Sequence, residues 1–78
     1  MKPFFVLIKC NLGRAYEVAT ALADAEIASE IYSIAGDHDL IAKFYIEDET
    51  DIGRFVNEKV HHIPGIQDTK TLITFKAF

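Results

Sequence analysis

The stretch that decides the fold is Ile31-Tyr32-Ser33-Ile34-Ala35-Gly36-Asp37-His38-Asp39-Leu40-Ile41-Ala42-Lys43-Phe44-Tyr45-Ile46. Two runs of β-branched and aromatic residues flank a short polar segment with one glycine in it. Gly-Asp is a hairpin signal, because glycine accepts the positive φ that tight two-residue turns require. The run before the turn is expected over 27–35, with Ile27, Ile31 and Ala35 apolar. The run after it is expected over 40–46, with Lys43 interrupting. The two form an antiparallel hairpin, and the other elements are placed around it.

Toward the N-terminus, Phe4-Phe5-Val6-Leu7-Ile8 is short, continuous and apolar, the pattern of a strand buried on both faces. Asn11-Leu12-Gly13 breaks it. Ala15, Val18, Ala19 and Leu22 then recur at helical spacing, which predicts a helix over 14–24. The small residues Ala21 and Ala25 on a second ridge allow close packing. Toward the C-terminus, Glu47-Asp48-Glu49-Thr50-Asp51 opens a second helix. Asp48 is its candidate N-cap, and Glu49 and Asp51 suit the positive end of the macrodipole. Ile52, Phe55, Val56 and Val60 make its apolar stripe, and Ile63-Pro64-Gly65 stops it. A last strand is expected over 66–78, strongest over 71–75.

The order β-α-β-β-α-β is that of the ferredoxin-like α+β sandwich, with a four-stranded antiparallel sheet. Right-handed crossovers put both helices on one face of that sheet. The other face should then alternate with polar residues, and these strands do not provide them. Phe5 and Leu7 lie opposite to Phe4, Val6 and Ile8, while Ile41 and Tyr45 lie opposite to Leu40, Ala42, Phe44 and Ile46. Both faces are apolar. An open apolar sheet is larger than the patches monomers usually show, so the chain is expected to dimerise through it.

Composition narrows the function classes. The chain has 78 residues, 8 basic and 12 acidic, for a net charge of −4. One domain, residues 1–78, fits that length. The lysines and arginines are scattered singly, so the focused positive patch that nucleic-acid binding needs is missing. The single cysteine, Cys10, rules out a disulfide scaffold and reads as inert packing at the end of a strand. The apolar run near the N-terminus is too short for a secretory signal, and no stretch approaches the ~20 apolar residues of a membrane span. A reduced, cytoplasmic setting is expected, with no membrane partner.

Candidate chemistry concentrates in the turn Gly36-Asp37-His38-Asp39. Thr69 and Thr71, two apart, share a face where the last strand begins, and their hydroxyls suit a small zwitterion. His38, Asp37, Asp39, His61 and His62 match no established metal-ligand spacing, so no metal is expected. Ser29 and Ser33 have no histidine nearby in sequence. The carboxylates over 47–51 are explained by capping, and no glycine-rich phosphate loop exists. No catalytic residue and no cofactor is assigned.

The hairpin residues Ser33 to Lys43 resemble the glycine–any–aromatic-or-His–Asp turn of the Lrp/AsnC family of feast/famine regulators. Ile63-Pro64-Gly65-Ile66, followed by Thr69-Lys70-Thr71, is similar to that family's Pro-Gly-Val step and threonine pair. Together with the element order, these features resemble the family's C-terminal effector domain, called the regulation-of-amino-acid-metabolism domain, over essentially the whole chain. Full-length members carry an N-terminal helix-turn-helix. Here Met1 leads directly into the first strand, so the expectation is an effector domain without its own DNA-binding half.

The resemblance implies a domain that dimerises through its sheets and builds octamer-like rings. An amino acid or similar effector would bind between dimers. The implied ligand-binding residues are Gly36, His38, Asp39, Thr69 and Thr71. Gly36 would let backbone amides approach a carboxylate, and Asp39 would pair with an ammonium group. His38 would cover the ligand or sense pH. The expected function is effector sensing and oligomerisation in transcription regulation, with itself or with a helix-turn-helix relative. The competing reading is a small dimeric enzyme of cofactor-free monooxygenase or isomerase type, with His38, His61 or His62 as acid–base group. A third is an amino-acid-binding regulatory domain of a metabolic enzyme. A cavity inside the monomer would favour an enzyme, and one between dimers a sensor.

Overall fold

The computed structural model describes Met1–Phe78. Its elements are β1 (Lys2–Cys10), α1 (Ala15–Asp24), β2 (Glu30–Ser33), β3 (Leu40–Ile46), α2 (Ile52–Phe55, continuing as a π-helical turn over Val56–Val60) and β4 (Ile66–Ile73). The strands form one antiparallel sheet in the order β2-β3-β1-β4. This is the expected ferredoxin-like arrangement, with β1 and β3 central and β2 and β4 at the edges.

Register decides which side chains share a face. Phe4 pairs with Phe44 and Ile73, Val6 with Ala42 and Thr71, and Ile8 with Leu40 and Thr69. Directly opposed residues point the same way, so these rows face the helices. There they meet Val18 and Leu22 of α1 and Val56 and Val60 of the second helix in a core of twelve buried residues. Phe4 stacks on Phe44 at 5.2 Å, and Phe55 packs edge-on against both.

The intervening residues form the open face. One row runs Glu30, Lys43, Phe5, Leu72, and the next runs Tyr32, Ile41, Leu7, Lys70. Tyr45 is 43% exposed and Tyr32 58%. Lys43 lies 5.8 Å from the Phe5 ring and 5.1 Å from the Tyr45 ring, and 3.7 Å from the Glu30 carboxylate. This face, on which Phe5, Leu7, Ile41 and Leu72 surround Lys43 and the edge strands carry Glu30 and Lys70, is uncovered in the single chain.

Several boundaries differ from the expectations. β1 is longer than residues 4–8. β2 is confined to Glu30–Ser33, because Ile27 and Ala28 lie in the connection after α1, where Glu26 takes a positive φ of 56°. β4 stops at Ile73, where its pairing with β1 ends at Phe4. The N-cap of α2 is Asp51 rather than Asp48: the Asp51 carboxylate accepts from the Arg54 N–H at 3.2 Å. Residues 47–50 form a turn closed by Thr50 N–H to Glu47 C=O, which places Asp48 before the helix.

Candidate functional site

The polar turn sits at the end of the sheet where β1 finishes and β4 begins. The Ile34 N–H bonds the Asp39 carbonyl at 2.9 Å and closes the hairpin. Gly36 has φ +120°, a conformation that side-chain-bearing residues rarely adopt. Its position is exposed and nothing lies within 4 Å of where a Cβ would stand. The turn backbone is therefore open to close approach. His38 and Asp39 are half-buried.

Asp39 is tied to β1 twice. Its N–H donates to the Ile8 carbonyl at 2.8 Å, and its Oδ2 accepts from the Cys10 N–H at 2.7 Å. The pairing of β1 with β3 ends at Ile8 and Leu40, and the carboxylate supplies the acceptor for the Cys10 N–H just beyond it. One oxygen of Asp39 thus extends the ladder, and Oδ1 makes no hydrogen bond. The same carboxylate acts on the Cys10 thiol. Burial, and next the negative charge of Asp39, push the thiol pKa up from its ordinary 9.0. Lys9 Nζ donates to the Asp37 carbonyl at 3.1 Å, a further tie between strand and turn.

Thr69 and Thr71 lie across β1, on the edge strand β4. Both are half-buried and point to the helix side, as their pairing with Ile8 and Val6 requires. Thr69 is two strands from Leu40, roughly 10 Å away at ordinary strand spacing. One chain therefore holds the turn and the threonines at the same sheet end but on opposite sides of β1. They do not converge on a single point within the monomer.

A residue outside the expected ligand set joins Thr69. His61 Nε2 lies 2.8 Å from Thr69 Oγ1 in a hydrogen bond whose direction depends on the imidazole tautomer. His61 follows the π-helical turn, and its N–H donates to the Val56 carbonyl five residues back. A π-turn inserts one extra residue, and such turns recur at functional sites. His61, Ile66, Gln67, Asp68 and Thr69 line a cleft of about 380 Å³. Its wall is polar except for Ile66, and Asp68 Oδ1 accepts from the Thr69 N–H at 2.9 Å. A donor–acceptor pair beside a carboxylate suits a small zwitterion better than an apolar ligand. The sequence signal for His61 was its place just before Ile63-Pro64-Gly65. Its partner lies eight residues on, beyond a turn.

None of the twelve core residues lines this cleft or the second cavity, which lies on the open sheet face. Both cavities open at the surface. No group of three or more His, Cys, Asp or Glu side chains is placed to hold a metal ion. No helix is long and apolar enough to cross a membrane.

A ferredoxin-like sheet with one uncovered face and a polar cleft at its edge is the architecture of a small ligand-binding domain. The family model for the Lrp/AsnC ligand binding domain matches residues 4–78, and the chain belongs to that family. It is 33% identical over 73 residues to the HTH-type transcriptional regulator FL11 of Pyrococcus abyssi, covering 94% of this chain and 48% of that protein. The chain thus spans about half the length of the curated relatives it matches. TTHA0845 from Thermus thermophilus superposes with a TM-score of 0.88 at 29% identity, over 100% of this chain and 98% of that one. The Neisseria meningitidis transcriptional regulator NMB0573, crystallised with L-Met, shares the fold with a TM-score of 0.79 at 17% identity, over 96% of this chain and 50% of that one. The relatives are transcriptional regulators carrying the Lrp/AsnC ligand-binding domain, and the enzyme reading is set aside on that ground.

Proposed function

We infer that this chain is an amino-acid-sensing module whose effector site is completed by assembly. The carrying observation is the split site. Gly36, His38 and Asp39 stand on one side of β1, and Thr69 and Thr71, with His61, stand on the other. An effector held by both sets is held by two copies, between dimers. One copy offers the open turn backbone and Asp39 Oδ1, which suit a carboxylate and an ammonium group respectively. The other offers the hydroxyls of Thr69 and Thr71 and the cleft beside His61. A cleft of about 380 Å³ is of the size that takes a small molecule.

Dimers form through the open sheet face. A monomeric protein of 8.8 kDa exposes about 4,800 Å² by the usual scaling, whereas this chain exposes 5377 Å². Tyr32, Tyr45 and Leu72 on the open face contribute to that surplus, and a shared face would remove their part of it. Dimers then join in a ring, and an effector that binds one assembly state better shifts the population toward it. The two helices are separated by strands, so residues 1–78 contain no helix-turn-helix. DNA contact is made by another unit, such as a helix-turn-helix relative that shares the sheet face. The setting for such a role is the cytoplasm.

The test is a thermal-shift screen of the common amino acids against the purified chain. At least one should raise the melting temperature progressively with its concentration, as a ligand of the folded state does. Thr69→Val and Asp39→Ala should each abolish that rise. No shift with any amino acid at millimolar concentration would overturn the reading.

A further inference from the structure

We propose that the segment after β4, Thr74 to Phe78, is an arm that clasps a second copy of this chain at the sheet-face dimer. The inference rests on the sheet-face reading given above and adds to it the group that fills a particular groove. β4 pairing ends at Ile73, and the chain then runs on without ladder hydrogen bonds. Thr74 Oγ1 donates to the Pro3 carbonyl at 3.1 Å, which anchors the arm beside β1. Beyond that anchor, Phe75 is 99% exposed and Phe78 109%. Two phenylalanines within five residues are thus left in solvent by the single chain.

The arm and the open face enclose a groove of about 400 Å³, with Pro3, Phe5 and Lys43 on the sheet side and Phe75, Lys76 and Ala77 on the arm side. Its chemistry identifies the occupant. Lys2, Lys43 and Lys76 all reach it, and no carboxylate lines it. Lys2 and Lys76 are in no ion pair. The chain already satisfies such cations with ring faces: Lys43 over Phe5 and Tyr45, and Lys76 5.0 Å from the Phe78 ring. An aromatic side chain is the neutral group that fills an apolar groove and attracts the ammonium groups at its rim. The groove is continuous with the open face. A second copy on that face therefore brings its own Phe75 and Phe78 to the groove, and two-fold symmetry makes the exchange reciprocal.

The chain has no tryptophan, so Phe75→Trp reports on the arm alone. Its emission should move to shorter wavelength as the concentration rises through the dimer dissociation constant. The double variant Phe75→Ala/Phe78→Ala should keep its circular dichroism spectrum and weaken dimerisation by roughly tenfold or more, since burial of an aromatic side chain is lost. Leu7→Lys, in the middle of the face, is the control and should dissociate the dimer. If Leu7→Lys dissociates it while the arm variants keep the wild-type constant and the tryptophan stays solvent-like in the dimer, the arm proposal is overturned and the sheet-face reading stands. If Leu7→Lys leaves the dimer intact, the sheet-face reading fails and the arm proposal with it. Rescue of the double variant's lost affinity by an added small aromatic carboxylate, with no tryptophan shift in the dimer, would assign the groove to a ligand and also overturn the arm.

Discussion

The two faces of the sheet are built from the same four strands and have opposite fates. On the helix side, Phe4, Val6, Ile8, Leu40, Ala42 and Phe44 are all within 1% of full burial. On the other side, Leu7 and Ile41 from the same strands are only half-buried, and Tyr32 and Tyr45 are exposed. Half of the residues are hydrophobic, yet only 12 of 78 are buried. Residue type explains only part of the difference: Glu30, Lys43 and Lys70 share the open face, but Phe5, Leu7, Ile41 and Leu72 there are as apolar as the covered residues beside them. The rest is a difference of partner: the helices cover the first face, and nothing within the chain covers the second. An apolar surface without an intramolecular partner is where a protein of this size gains stability by association.

The neighbours Phe44 and Tyr45 give the sharpest way to break that comparison. Phe44→Ala removes a ring packed against Phe4 and Phe55, and should cost about 3–5 kcal/mol in urea unfolding. Tyr45→Ala should cost below about 1 kcal/mol in the same measurement at concentrations where the chain is monomeric, and should instead weaken self-association. Equal costs under monomeric conditions would mean that the open face has a cover within the chain.

The next effect in size concerns the turn. Asp39→Ala orphans the Cys10 N–H and should lose about 1–3 kcal/mol, together with amino-acid binding, while the dimer persists in size-exclusion chromatography. Calorimetric titrations that match wild type would remove Asp39 from the effector site and leave it a ladder residue. Smaller again, Asp51→Ala should cost about 1 kcal/mol through loss of the cap. Asp48→Ala should leave the melting temperature nearly unchanged.

The smallest effect is a pH dependence from the covered face. The Cys10 thiol pKa is raised in the fold, so the folded chain holds that proton more tightly than the unfolded chain. The resulting stability is fully present below the ordinary value of 9.0 and is lost as pH rises through the higher folded value. Urea midpoints between neutral pH and pH above 9 should therefore fall, and Cys10→Ser should flatten part of that decline. A midpoint that rises over this interval would contradict the assignment.

How much of this was legible in the sequence depends on the range of the interaction. The helical spacing of Val18, Leu22, Val56 and Val60 places the helix side of the core, and the pleat sorts Phe4, Val6 and Ile8 from Phe5 and Leu7, but with both sets apolar the sequence does not say which of them the helices cover. The cap reads as Asp48 because Asp48 and Asp51 both precede an apolar run. Only the turn closed by Thr50 and Glu47 separates them. β4 reads as longer than it is because Thr74 and Phe75 suit a strand, whereas the end of pairing is set by its neighbour β1. In the site, the hairpin and the need for a glycine at Gly36 are legible from turn chemistry, but the connection is the six residues 34–39 closed by Ile34 and Asp39 rather than the tight two-residue turn that Gly-Asp suggests. The bond from Asp39 to Cys10 spans 29 residues and no local pattern encodes it. His61 is visible as a histidine at a helix end, but its bond to Thr69 depends on the π-turn that precedes it.

The claim on which the rest depends is that the open sheet face is an interior shared between copies. Sedimentation equilibrium of the purified chain over the micromolar range tests it most directly. The predicted result is a species at twice or a higher multiple of 8.8 kDa, converted to monomer by Leu7→Lys. A wild-type chain that sediments at 8.8 kDa throughout that range, with or without amino acids, would contradict it.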